Sequence, residues 1–137
     1  MNPLIPGAET GMKMIVRSFE LTLRVLISFV WLANGLWAKV LDGVPRHRQI
    51  VGRMFGDEWA GMIIVLIGCA EVVMAVWVLS RWRVRYCAIT QIVVVMAMNV
   101  IEQWLTRDLL LWGPMNFMYA SLFCMIVSYH GFKLSKA

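Results

Sequence analysis

Closely spaced cysteines are missing from this sequence. Its three cysteines, Cys69, Cys87 and Cys124, are far apart, and no C-x-x-C occurs. Thiol exchange and thiolate metal sites usually need a reactive, closely spaced pair. The pattern therefore argues against both, and the three thiols are interpreted as small apolar packing residues.

Charged residues are also scarce. They make up 15% of the chain, against about 25% in soluble domains, while hydrophobic residues reach 61%, against about 45–50%. This imbalance points to a lipid bilayer rather than to a large soluble core. The net charge of +5 comes from Lys and Arg scattered between apolar runs. Because they form no continuous basic patch, we expect no nucleic-acid partner.

The sequence also lacks the usual signatures of an independent enzyme. It has no phosphate-binding loop, no metal-ligand cluster and no paired nucleophile and base, so we expect no metal site. The first residues lack the basic start and small-residue cleavage site of a signal peptide, so the first apolar helix is expected to be retained.

Four long apolar runs dominate what is present. They cover about residues 19–41, 58–80, 84–105 and 109–132 of the 137-residue chain, and each approaches the roughly 20 residues that cross a bilayer as a helix. No run alternates as a barrel strand does. We therefore predict an all-α fold, an integral membrane four-helix up-down bundle, with an N-terminal tail at 1–16 and a transmembrane domain at 17–133.

A short amphipathic helix is predicted between the first two spans. Pro45 suits the first helical position, where its missing N–H is harmless. Arginines occupy one face of this helix, which favours a place at the membrane interface. The other face contains His47, Ile50, Val51, Met54 and Phe55.

The distribution of Lys and Arg predicts the orientation. With four spans both termini lie on one side of the membrane, and that side carries eight of these residues against five on the other. The positive-inside rule then places both termini in the cytoplasm.

Several polar residues interrupt the apolar spans. An ionised side chain inside a span costs roughly 2.5–3.5 kcal/mol on insertion scales and usually faces the bundle interior. Helical spacing and the alternating direction of the spans place these residues, with the His47 segment, near the extracytoplasmic face. We predict one outward-opening polar cavity formed by Trp31, Asn34, Lys39, His47, Glu71, Asn99, Glu102, Asn116 and Tyr119.

Three interpretations of these polar groups remain open. The acids and Lys39 can form a structural ion-pair network, line a binding or redox-partner site, or carry protons through Glu71 and Glu102. His47 alone is interpreted as an interface histidine rather than a metal ligand. His130, near the end of the last span, is expected to cap the helix or to face lipid headgroups.

Two segments carry a resemblance to a known family. The residues N-G-L-W-A-K-V at 34–40, followed by P-R-H-R-Q-I-V at 45–51, and a glutamate in the second span resemble the DoxX-like family of small bacterial four-helix membrane proteins. The similarity runs over about residues 17–132. The positions that match are Asn34, Lys39, Pro45, His47 and Glu71.

The resemblance implies a bundle in the bacterial inner membrane. Relatives include membrane subunits of thiosulfate:quinone oxidoreductases, so it also implies a subunit or accessory of a redox or quinone-linked process. The ligand would be a quinone or another lipid, and the partner a soluble or membrane oxidoreductase. The alternatives are a carrier for a small solute or proton and a structural or assembly protein without its own ligand. A homo-oligomer remains open.

Overall fold

The computed structural model describes residues 5–109 and 115–134, and within them it contains helices and no strand. The all-helical prediction is confirmed: the described residues form five α-helices, four long and one short. The elements are α1 (Pro6–Leu32), a π-helical segment (Ala33–Val40), α2 (Pro45–Phe55), α3 (Asp57–Ser80), α4 (Val84–Leu105), a 3-10 turn (Arg107–Leu109) and α5 (Met115–Phe132). The start of the predicted fourth span includes residues 110–114, which lie outside the described residues.

Helix α1 begins much earlier than the sequence pattern predicts. We expect a tail over 1–16 that becomes helical near Arg17, but the helix starts at Pro6. Pro6 occupies the first turn, where proline is tolerated, and Glu9 lies in the same turn, where its charge favours the helix dipole. Most of the predicted tail is therefore part of the first long helix.

The first long helix does not stop at Leu32 but widens into the π segment. The N–H of Leu41 bonds to the carbonyl of Leu36 at 2.9 Å, a five-residue step, and the N–H of Gly43 closes the end on the carbonyl of Trp37 at 2.9 Å. A π segment changes the rotation between successive side chains, and such segments often occur at functional sites. The residues that follow Leu32 therefore point in directions that ordinary helical spacing does not predict.

Helix α1 with its π segment runs antiparallel to α3, because Ser28 meets Ala75 and the later Gly35 meets the earlier Gly68. Helices α4 and α5 are also antiparallel, because Ala88 meets Gly131 and Asn99 meets Asn116. Between α1 and α3, the Ser28 hydroxyl donates to the carbonyl of Ala75 at 3.0 Å. Between α4 and α5, the Asn116 amide donates to Asn99 at 2.8 Å. The main core lies between these helices and is built from Ile27, Trp31, Met74, Ala75, Val78, Cys87, Ala88 and Val127.

Among the described residues, α3 and α4 are long and apolar enough to cross a membrane. Only 28% and 17% of their most apolar windows are buried, whereas the core helix of a soluble protein would be mostly buried. Large apolar side chains remain exposed on α1, α3 and α5, including Phe29, Leu66, Val73, Val76 and Met125. Such an extensive exposed apolar surface is unusual for a soluble monomer.

Candidate functional site

A cavity of about 390 Å³ opens between the π segment, α2, α3 and α4. Its size lies within the roughly 300–1,000 Å³ range of small-molecule pockets. Four polar side chains face it, one from each of these elements: Lys39, His47, Glu71 and Glu102. The rest of the lining is apolar and consists of Trp31, Ile50, Val51, Met54, Phe55, Ile64, Ile67, Ala70, Met74, Val94, Met98 and Ile101.

Two glycines set the position of the cavity. Gly35 in the π segment and Gly68 in α3 meet backbone to backbone. A Cβ added to Gly35 would lie 2.5 Å from the Gly68 carbonyl oxygen, and one added to Gly68 would lie 2.6 Å from the Gly35 carbonyl oxygen. This contact brings together the residues that follow each glycine, Lys39 on one helix and Glu71 on the other.

Lys39 and Glu71 form a buried ion pair. The Lys39 Nζ donates to both carboxylate oxygens of Glu71, at 2.8 Å each. Both side chains are 8% exposed, so water contributes little to the neutralisation of either charge. The two charges balance each other and form the polar end of an otherwise apolar cavity.

Trp31 is buried on the cavity wall and is held in place by two contacts. Its Nε1–H donates to Gln91 Oε1 at 2.7 Å, and its ring meets Phe123 edge-on with centroids 6.2 Å apart. These contacts satisfy the indole donor and fix the ring, so an apolar ligand would meet a rigid aromatic surface.

His47 faces the cavity from α2. Its Nδ1 is buried and has no hydrogen-bond partner among the described residues. Burial, with the positive charges of Lys39 and Arg46, lowers the pKa of His47 to about 4. His47 is therefore neutral near pH 7 and presents an uncharged imidazole to the cavity.

This low pKa predicts a pH-dependent stability. Because the pKa of His47 lies at about 4 in the folded protein and near 6.5 when unfolded, the unfolded chain binds the extra proton first as the pH falls. The contribution of neutral His47 to the free energy of unfolding is fully present above pH 6.5 and is lost as the pH falls from 6.5 to about 4. We expect the Tm of the detergent-solubilised protein to fall between about pH 7 and pH 5 by less in His47→Gln than in the wild type. Parallel Tm curves for the two proteins would show that His47 does not titrate in this way.

Glu102 contributes a second carboxylate to the cavity. It lies within electrostatic range of Lys39 and Glu71, but its carboxylate makes no hydrogen bond or ion pair with any residue in the described ranges. Since Lys39 is already engaged by Glu71, the cavity carries one carboxylate more than it has cations.

The family model described as the DoxX-like family matches residues 28–129. The chain belongs to the DoxX-like family. The match includes the two segments and Glu71, and the predicted membership is confirmed. No curated protein and no solved structure matches the chain. Family membership and the two long apolar helices together suggest a small membrane protein.

Four of the residues predicted for the cavity lie elsewhere in this DoxX-like protein. Asn34 is exposed and donates its amide to the carbonyl of Val30 at 2.9 Å. Asn99 and Asn116 are bonded to each other between α4 and α5, and Tyr119 is 43% exposed on α5. Asparagine can satisfy its amide within one helix or across one helix pair, so helical spacing alone does not place it in the cavity.

A second polar cluster, near the middle of α1 and away from the cavity, is not predicted by the sequence pattern. Glu20 and His130 are both buried, with 3.0 Å between Oε1 and Nε2. Arg24 and Arg81 lie 3.8 and 3.9 Å from the same oxygen. The expectation that His130 caps its helix or faces headgroups is therefore wrong. Glu20 and His130 are 110 residues apart, and only the local spacing of Glu20 and Arg24 is visible in sequence.

The described residues also show little sign of a metal centre. Within residues 5–109 and 115–134, no group of three or more His, Cys, Asp or Glu side chains is arranged to hold a metal ion. The side chains that line the DoxX-like cavity offer an ion pair, a second carboxylate and an imidazole among apolar walls.

Proposed function

We propose that this DoxX-like protein is a multi-pass protein of the bacterial inner membrane. In this proposal α1 with the π segment, α3, α4 and α5 cross the bilayer as a four-helix up-down bundle. The exposed apolar side chains on these helices would then face acyl chains rather than water. The antiparallel contacts Ser28–Ala75 and Asn99–Asn116 support this arrangement.

We further propose that both termini lie in the cytoplasm. The greater number of Lys and Arg residues at that end supports this orientation. The cluster of Glu20, His130, Arg24 and Arg81 would then lie on the cytoplasmic side. The cavity, with α2 across its mouth, would lie toward the extracytoplasmic face.

The cavity would hold a lipid-soluble small molecule, a quinone or another lipid. The observation that carries this proposal is the cavity itself: about 390 Å³, apolar walls and a polar end on Lys39, Glu71 and Glu102. This is the usual character of a small-molecule site, in which apolar walls supply affinity and a few polar groups fix orientation. By analogy with quinone-linked members of the family, the protein would act as a subunit or accessory of a redox process with an oxidoreductase partner.

Ligand content after purification tests this function. We expect a quinone or another lipid to co-purify with the protein in mild detergent. The amount of bound ligand per protein should fall several-fold in Glu71→Gln and Trp31→Ala, because these substitutions change the polar end and one wall of the cavity. The measurement is solvent extraction followed by mass spectrometry, normalised to protein. Trp37→Ala serves as a control on the same helix, since Trp37 is 58% exposed and does not line the cavity.

A different result would favour the structural alternative. If Glu71→Gln and Trp31→Ala leave the ligand content unchanged and lower only the Tm, the polar groups stabilise the helices without binding a ligand. If the Trp37→Ala control loses ligand to the same extent, the loss reflects general damage and the cavity is not the site.

A further inference from the structure

The polar groups of the cavity differ in how well they are satisfied. The two oxygens of Glu71 both accept from Lys39 Nζ. The carboxylate of Glu102 accepts from no side chain in the described part of the chain, although its residue lines the same cavity. The cavity therefore contains a carboxylate that the described residues do not match, in addition to the unpartnered Nδ1 of His47.

The nearby cations do not supply the missing donor. Arg48 lies 4.0 Å from Asp42, and Arg53 pairs with Asp108. Both arginines are on α2, and both pairs are exposed at the surface. Lys39 is held by Glu71. These three donors are thus directed to other carboxylates, and Arg46, the third arginine of α2, forms no ion pair with Glu102.

Glu102 is partly buried, so a ligand that fills the cavity would remove the remaining water from its carboxylate. An ionised carboxylate can only accept hydrogen bonds, so the ligand must offer a donor in place of that water. We infer that the ligand of this cavity has a head group that donates a hydrogen bond to Glu102, which in a quinone couple is the reduced hydroquinone. This inference rests on the proposed function. It assigns Glu102 as the residue that selects the head group, and the apolar walls as the surface for the tail.

The hydroquinone hydroxyl also fits the rest of the polar end. A hydroxyl both donates and accepts, so it can donate to Glu102 and accept from Lys39 Nζ or from His47. A quinone carbonyl only accepts, so it can satisfy the lysine but leaves Glu102 without a donor. The dimethyl ether of the hydroquinone keeps the same ring and tail, but its oxygens can only accept hydrogen bonds, so it also leaves Glu102 without a donor.

Three probes with the same tail test the inference: a decyl-substituted hydroquinone, the corresponding quinone and the hydroquinone dimethyl ether. Their binding to the full-length protein in nanodiscs would be measured under argon by intrinsic Trp fluorescence. We expect the hydroquinone to bind about tenfold or more tightly than the other two, as one hydrogen bond to a charged group would give. In Glu102→Gln we expect this ratio to approach one, because an amide both donates and accepts.

The control is Glu58→Gln, a carboxamide substitution at an exposed glutamate in the first turn of α3. It should keep the wild-type ratio. If the wild type binds all three probes equally or prefers the quinone, the inference is overturned while the cavity remains a ligand site. If the wild type binds none of the three, the inference is overturned and a quinone is removed as the ligand of the proposed function. If Glu102→Gln keeps the wild-type ratio, Glu102 does not select the head group.

Discussion

Replacing Gly35 by alanine is expected to destabilise the protein by about 1–3 kcal/mol, the usual cost of adding volume to a packed contact. The new Cβ would lie 2.5 Å from the Gly68 carbonyl oxygen and 2.9 Å from the Glu71 Cβ. Backbone atoms cannot rotate away as the end of a side chain can, so the π segment and α3 must separate. Since Lys39 follows on the same segment, the separation should also weaken its bond to Glu71. The measurement is the free energy of unfolding in detergent micelles.

Gly61 provides a matched control in α3. A Cβ at Gly61 would lie 2.7 Å from the terminal Nη2 of Arg48, an exposed and flexible atom that can move aside. Alanine also favours a helix over glycine by up to about 1 kcal/mol, so Gly61→Ala should be neutral or stabilising. If Gly35→Ala and Gly61→Ala behave alike, the backbone contact at Gly35 does not limit the approach of the two helices.

The double variant Gly35→Ala/Gly68→Ala refines this expectation. Both substitutions act on the same crossing, because each Cβ would meet the other residue's carbonyl oxygen. Once the first has separated the helices, the second should cost less than it does alone. If the losses of stability are additive, the two glycines do not act on the same helix crossing.

Sequence patterns predict part of the cavity because its residues lie on regular helices or on a short amphipathic helix. The spacing along α3 and α4 brings Glu71 and Glu102 to one side of their helices, and the apolar face of α2 contains His47, Ile50, Val51, Met54 and Phe55. The structure places all of these residues on the cavity lining. For such residues, the regular spacing of an α-helix is enough to predict which side chains line the cavity.

Helical spacing fails to predict the position of a side chain where the helix is irregular or where the side chain bonds to a residue far away in sequence. The π segment Ala33–Val40 changes the rotation of the helix just where Asn34 and Lys39 occur. Lys39 becomes buried and Asn34 exposed, although both interrupt the same apolar run. The bond of Trp31 to Gln91 and the contact of Glu20 with His130 join residues 60 and 110 positions apart. No spacing rule within one helix predicts such pairs.

Substitutions of Lys39 and Glu71, one at a time and together, test how much their buried ion pair stabilises the fold. Removing one member of a buried ion pair leaves the other charge uncompensated and costs about 3–5 kcal/mol, whereas replacing both with apolar residues is often nearly neutral. We therefore expect large losses in the free energy of unfolding for Lys39→Met and for Glu71→Leu. The double variant should recover much of that loss.

Lys39→Met and Glu71→Leu should lose different amounts of free energy of unfolding. With Lys39 removed, the carboxylates of Glu71 and Glu102 both face the apolar cavity without a cation, because Lys39 lies within electrostatic range of both. With Glu71 removed, Lys39 retains Glu102 as a nearby opposite charge. Lys39→Met should therefore be the less stable variant, and adding Glu102→Gln to it should restore part of the difference. Chemical unfolding in micelles measures all four variants. Equal losses in the two single variants, together with no recovery when Glu102→Gln is added to Lys39→Met, would mean that Glu102 is not coupled to the pair.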